Sequence, residues 1–243
     1  MHAGYHCENI HLLDVWAIYA QDCIQAAGPP AAQFICQSAG TDAQGDGMGN
    51  IRVLCLHGYH GSGRILREQM RPLTEGLGPF VEFVHIDAPS IAEGDFGWWH
   101  EGFRGWEKTR DWMVGFFGEQ QPFDGIFGFS QGAALASLLV GMRGIGGGPP
   151  VPGPLSFEFA VMVGGFRSDS AVHAPLYAGV ENYDLPSLHI MGRSDSIVPI
   201  ADSRVLAGQF SAPVVLEHSG GHVIPGGSPI RDDVELFLHR MAR

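Results

Sequence analysis

The chain has 243 residues, 45% of them hydrophobic and 16% charged, enough apolar side chain for one large domain with a buried core. Its 14 Lys plus Arg stand against 26 Asp plus Glu, a formal net charge of −12, so it offers no basic patch to a nucleic-acid backbone or an anionic membrane. Lys108 is the sole lysine and follows no glycine run, which removes P-loop and Schiff-base chemistry.

The first fifty residues read as an appendage. Ile10, Leu13, Ala17, Ala20 and Ile24 recur at helical steps, Gly28-Pro29-Pro30 ends that pattern, and 45–50 is a glycine-rich linker. The apolar stretch 12–20 carries Asp14 and is too short to span a bilayer, and no basic-led apolar leader opens the chain. Cys7, Cys23, Cys36 and Cys55 form no CxxC pair and no zinc spacing. His2, His6, Cys7 and His11 lie close together but have no second cluster at set spacing. A cytoplasmic protein with reduced thiols, no metal and no membrane span is expected.

From residue 51 a different rhythm begins. Apolar runs at 52–56, 81–86, 125–129, 157–163, 188–191 and 214–216 predict about six strands. Between them lie helical stripes such as Leu66, Met70, Leu73 and Leu77, or Ala133, Leu135, Leu138 and Leu139. Strands alternating with helices predict an α/β fold, a doubly wound, mainly parallel sheet with helices on both faces. The Gly/Pro-rich stretch 144–154 reads as a surface loop, leaving one domain over 51–243. In such sheets ligands meet the loops at the carboxyl ends of the strands.

Those loops carry the chemistry. The third predicted strand ends in Gly128-Phe129-Ser130-Gln131-Gly132, a G-x-S-x-G between strand and helix, which holds a serine hydroxyl up on a sharp turn. Such a nucleophile needs an acid and a histidine later in the chain. Asp195 follows the fifth strand in Gly192-Arg193-Ser194-Asp195, and His222 follows the sixth in His218-Ser219-Gly220-Gly221-His222. The rivals are weaker: Asp184 precedes its strand, Asp202 reads as helical, His218 continues a strand, and His57 and His60 precede the serine. The glycine-loosened turn His57-Gly58-Tyr59-His60-Gly61 can aim backbone N–H groups at an oxyanion, with the Gln131 N–H as partner donor. Trp98, Trp99, Phe103 and Trp106 crowd a glycine-spaced loop, as one wall of an apolar pocket or as cover for the core.

Together these stretches resemble the FSH family of serine hydrolases within the α/β-hydrolase fold. The carriers are the 53–59 segment ending in His57-Gly58-Tyr59, Asp87-Ala88-Pro89, the run from Pro122 to Gly132, Gly165-Phe166-Arg167, and His218 to His222. The resemblance implies a triad of Ser130, Asp195 and His222, and oxyanion N–H groups on Tyr59 and Gln131. It implies a cofactor-free esterase acting on small-molecule acyl esters with medium or long chains. The alternative is a thioesterase or acyltransferase working on a carrier-bound or CoA-bound acyl chain, with an acyl-carrier partner. A third reading is a non-catalytic ligand-binding protein on a hydrolase scaffold. Sequence alone leaves the oligomeric state open.

Overall fold

Alternation along each strand decides the architecture. In the first strand, β1 (Ile51–Leu56), Leu54 and Leu56 face one side of the sheet while Ile51, Val53 and Cys55 face the other, and all five are buried. A strand buried on both faces needs helices on both, as in parallel sheets. The computed structural model describes residues 50–90, 97–143, 155–178 and 182–242. The expected helix at 10–24, the cysteines before residue 40 and the loop 144–154 lie outside them.

After β1 the chain runs through α1 (Gly63–Thr74), β2 (Val81–Ile86), a 3₁₀ turn (Glu101–Phe103), α2 (Trp106–Glu119), β3 (Gly125–Phe129) and α3 (Gln131–Arg143). It continues through β4 (Phe159–Val163), α4 (Ala174–Ala178), β5 (Ser187–Gly192), α5 (Ile200–Ala207), β6 (Val214–His218) and α6 (Ile230–Met241). The strands form one sheet in the order β2-β1-β3-β4-β5-β6, every pair parallel. This is the expected six-stranded, doubly wound fold. Phe157 and the residue after it stay outside β4, which starts at Phe159. The last strand runs two residues further than its apolar core, to His218.

Helix α1 illustrates how sequence sets an element. Ser62 caps it by accepting the Ile65 N–H at 3.2 Å, and Leu66, Met70 and Leu73 form its buried stripe. They pack with Val234, Phe237 and Leu238 of α6 on one face of the sheet. The other face is covered by α2, α3 and Leu206 of α5. Helix α3 is buried from Gln131 to Gly141 and runs through the middle of that layer. Among the described residues no helix is long and apolar enough to cross a membrane.

The strand order turns back at β1, which leads to β2 on one side while β3 lies on the other. In doubly wound sheets ligands meet the strand-end loops at that switch. The first turn of α3 reaches across it: a methyl on Gly132 would sit 2.1 Å from the Leu56 carbonyl oxygen and 2.6 Å from that of His57. A side chain there must push α3 off β1.

Gly132→Ala is expected to destabilise by about 1–3 kcal/mol or more through overpacking. Gly115→Ala, at an exposed site of α2 with nothing within 4 Å of the added carbon, is expected to stabilise by about 0.5–1 kcal/mol. Thermal unfolding of the two variants checks this; similar shifts would mean that α3 does not lie so close to β1.

Candidate active site

Ser130 directly follows β3 with φ of +56°, a left-handed conformation that a serine adopts only when its surroundings hold it there. They hold it from both sides. Its N–H donates to the Val163 carbonyl at 2.9 Å, and its own carbonyl accepts the N–H groups of Ala133 and Ala134 as α3 begins. The flanking glycines are required sterically: a methyl on Gly128 would lie 2.4 Å from the Gly132 oxygen. Gly58 also comes close, with its would-be methyl 3.2 Å from the Ser130 Cβ. The β1 exit turn and the serine turn are thus in contact.

The structure brings Asp195 and His222 together. His222 Nδ1 lies 2.7 Å from Asp195 Oδ2, with the two side chains 8% and 2% exposed. Asp195 Oδ1 accepts the N–H groups of Ile197 and Val198 at 2.9 Å each. Burial pushes this carboxyl's pKa up. The hydrogen bond and charge of His222 and the two backbone N–H groups outweigh burial and hold it below its ordinary 3.8. An ionised, acceptor-only carboxylate directs the His222 proton to Nδ1 and leaves Nε2 as the basic atom. That Nε2 is buried with no hydrogen-bond partner among the described residues, so no Ser130–His222 hydrogen bond is formed.

The pair nonetheless converges on the serine turn. Gly164, next to the carbonyl that anchors Ser130, has φ of +54°, and a methyl on it would lie 3.0 Å from the His222 ring. The rings of Phe129 and His222 are 4.9 Å apart. Nothing in the residue pattern marked Gly164 beforehand; a glycine ending a buried strand beside the nucleophile strand is the signal that could have found it.

The rivals fall elsewhere. Asp184 and Asp202 are exposed, the latter on α5. His218 Nδ1 accepts the Gly220 N–H at 3.2 Å, shaping the loop that carries His222. His57 is 1% exposed and spends both ring nitrogens, one on the Ala88 N–H and one on the Gly58 carbonyl. Burial pushes its pKa down, opposed by that carbonyl and by Asp87, and an Nε2 that accepts the Ala88 N–H belongs to a neutral ring.

Of the aromatic loop, Trp98, Trp99 and Trp106 are 1%, 5% and 3% exposed and belong to the core layer around α3. These three are buried in the core and form no open wall. Phe103 keeps a partly exposed face and a left-handed φ of +61°, against Trp99 and His173. The backbone N–H groups of Tyr59 and Gln131 sit on the two turns that meet at Gly58.

The sequence pattern described as Serine hydrolase (FSH1) matches residues 48–234. The chain belongs to this serine hydrolase family. The "Esterase OVCA2" of Danio rerio is 32% identical over 225 residues, spanning 78% of this chain and 97% of that protein. The "Esterase OVCA2" of Homo sapiens is 33% identical over 231 residues, spanning 79% and 97%. The crystal structure of Zea mays acyl-protein thioesterase 2 superposes with a TM-score of 0.56 at 20% identity, covering 83% of this chain and 97% of that one. At that identity the likeness shows the α/β-hydrolase fold. The protein is a serine hydrolase.

Because Asp195 is held below its ordinary pKa, its contribution to folding is full above about pH 4 and is lost as pH falls through the lower folded value. The difference in Tm between this hydrolase and its Asp195→Asn variant is therefore expected to be widest near neutral pH and to narrow on acidification. A difference that does not change with pH would mean that Asp195 is not an ionised partner of the His222 ring.

Proposed function

We propose that Ser130, His222 and Asp195 act as a catalytic triad that hydrolyses carboxylic esters with medium or long acyl chains through an acyl-enzyme. The single observation that carries this reading is the strained serine at the strand-to-helix turn, with a buried imidazole–carboxylate pair against its neighbours Phe129 and Gly164. Ser130 Oγ attacks the ester carbonyl and its proton passes to His222 Nε2. The imidazolium stays paired with Asp195 while the alcohol leaves, taking that proton. Water then repeats the sequence on the acyl-enzyme. The N–H groups of Tyr59 and Gln131 receive the oxyanion, where the positive end of α3 also favours negative charge. The hydrogen bond between Ser130 and His222 forms with substrate bound, as catalytic hydrogen bonds often tighten only in the complex.

We place an acyl chain of some length along the partly exposed face of Phe103 beside the aromatic layer. Thioesters pass through the same acyl-enzyme, and the thioesterase reading draws support from the fold shared with acyl-protein thioesterase 2 and with "RedJ-Thioesterase from the Prodiginine biosynthetic pathway in Streptomyces coelicolor", the latter at a TM-score of 0.53 and 17% identity. An acyl-carrier partner belongs to that second reading alone. The buried free thiol of Cys55 accords with a reducing, cytoplasmic setting. We place the catalytic domain at 51–243 and the first fifty residues outside the chemistry.

Ser130→Ala is expected to lose on the order of 10⁴-fold or more in kcat on p-nitrophenyl esters while unfolding at the temperature of the parent. In the parent, kcat/KM should rise by roughly fourfold per methylene from acetate upward until the pocket is filled. Activity retained by Ser130→Ala would place the nucleophile elsewhere, and faster turnover of acyl-CoA or carrier-bound chains than of oxygen esters would favour the thioesterase reading.

A further inference from the structure

The side chain of Gln131 does something that its place in G-x-S-x-G does not require. It is 7% exposed; its Oε1 accepts the Trp98 N–H at 2.9 Å and its Nε2 donates to the Trp99 carbonyl at 2.8 Å. One side-chain amide thus pairs with the aromatic loop as a backbone strand would. Trp98 carries the connection onward. Its indole Nε1–H donates to the His57 carbonyl at 2.8 Å, and its own carbonyl accepts the Thr109 hydroxyl at 2.5 Å.

His57 completes the path. Its Nε2 accepts the Ala88 N–H at 3.1 Å, so the ring proton sits on Nδ1 and is donated to the Gly58 carbonyl at 2.7 Å. The same carbonyl accepts the Gly61 N–H at 3.0 Å. In a trans peptide the C=O and the following N–H point in opposite directions. Two donors that hold the Gly58 carbonyl therefore also fix where the Tyr59 N–H points.

We propose that the Gln131 side chain and the Trp98 indole are positioning residues that set the two oxyanion-binding N–H groups, those of Tyr59 and Gln131, at a fixed separation. The bonds run from one donor turn to the other through a single buried loop: Gln131 amide, Trp98 backbone, Trp98 indole, His57 and Gly58. This rests on the oxyanion role given above to those two N–H groups. Misaligned donors bind the tetrahedral oxyanion less well and leave the flat ground-state ester almost unaffected. The effect therefore falls on kcat and spares KM.

Gln131→Glu tests this without changing shape or the backbone N–H. A carboxylic acid there accepts from Trp98 and donates its O–H to the Trp99 carbonyl, while a carboxylate turns a lone pair on that carbonyl. Burial against a carbonyl raises the pKa of such a glutamic acid. The ratio of kcat in Gln131→Glu to parent, measured on one short ester at each pH, is expected to approach one at acid pH and to fall on the order of tenfold to a hundredfold as pH rises. KM should stay within about twofold, and affinity for a trifluoromethyl ketone, which forms a tetrahedral oxyanion, should fall in step with kcat. Trp98→Phe keeps the packing and removes the indole donor, so it should lower kcat and ketone affinity alike; it decides the matter if the glutamate variant does not fold. Unchanged kcat and ketone affinity, a ratio indifferent to pH, or a loss carried by KM would overturn the proposal. If instead Ser130→Ala keeps its activity, the catalytic reading beneath it fails as well.

Discussion

The first turn of α3 lies on the carbonyls at the end of β1 with no room for a side chain at Gly132, and much of the molecule follows from that approach. It draws β3 and β1 level at their carboxyl ends, so the serine turn and the Gly58 turn touch. It forces Ser130 into a left-handed backbone, which the Val163 carbonyl and the start of α3 hold in place. It also buries the Gln131 side chain, which must then find polar partners and finds them in the backbone of the aromatic loop. Two glycines, Gly128 and Gly132, convert an ordinary strand-to-helix connection into a rigid one.

Burial and hydrogen bonding divide the buried histidines by role. His57, with both nitrogens occupied and its pKa pushed down, works as a fixed neutral strut. His189, pushed down to about 4 by burial alone, bonds Ser187 and packs on Phe210. His222 differs because a carboxylate held ionised by three donors faces its Nδ1. Among the described residues, only that ring has a buried, unspent nitrogen beside the serine turn.

The fold was legible because apolar runs of strand length and helical stripes alternate with little ambiguity after residue 50. Leu66, Met70 and Leu73 were read as one helix face and are one. Strand ends were less legible: Phe157 is apolar and buried but lies outside the ladder, since burial without pairing leaves the same mark on sequence. At the site, the order of serine, aspartate and histidine along the chain singled out the residues that the fold then sets near one another. Chain order also removed His57 from the triad, yet it could not indicate that this ring supports the Gly58 turn. The aromatic loop was the least legible part. A tryptophan lining a pocket and one capping a core look alike in sequence, and the difference here is an indole N–H spent on the His57 carbonyl.

The central claim is that the strained serine is the group that becomes acylated. Reaction with a fluorophosphonate, followed by intact-mass and peptide mass spectrometry, tests it most directly. The account predicts one adduct per chain, on Ser130. An adduct on another residue, or none at all, would contradict it.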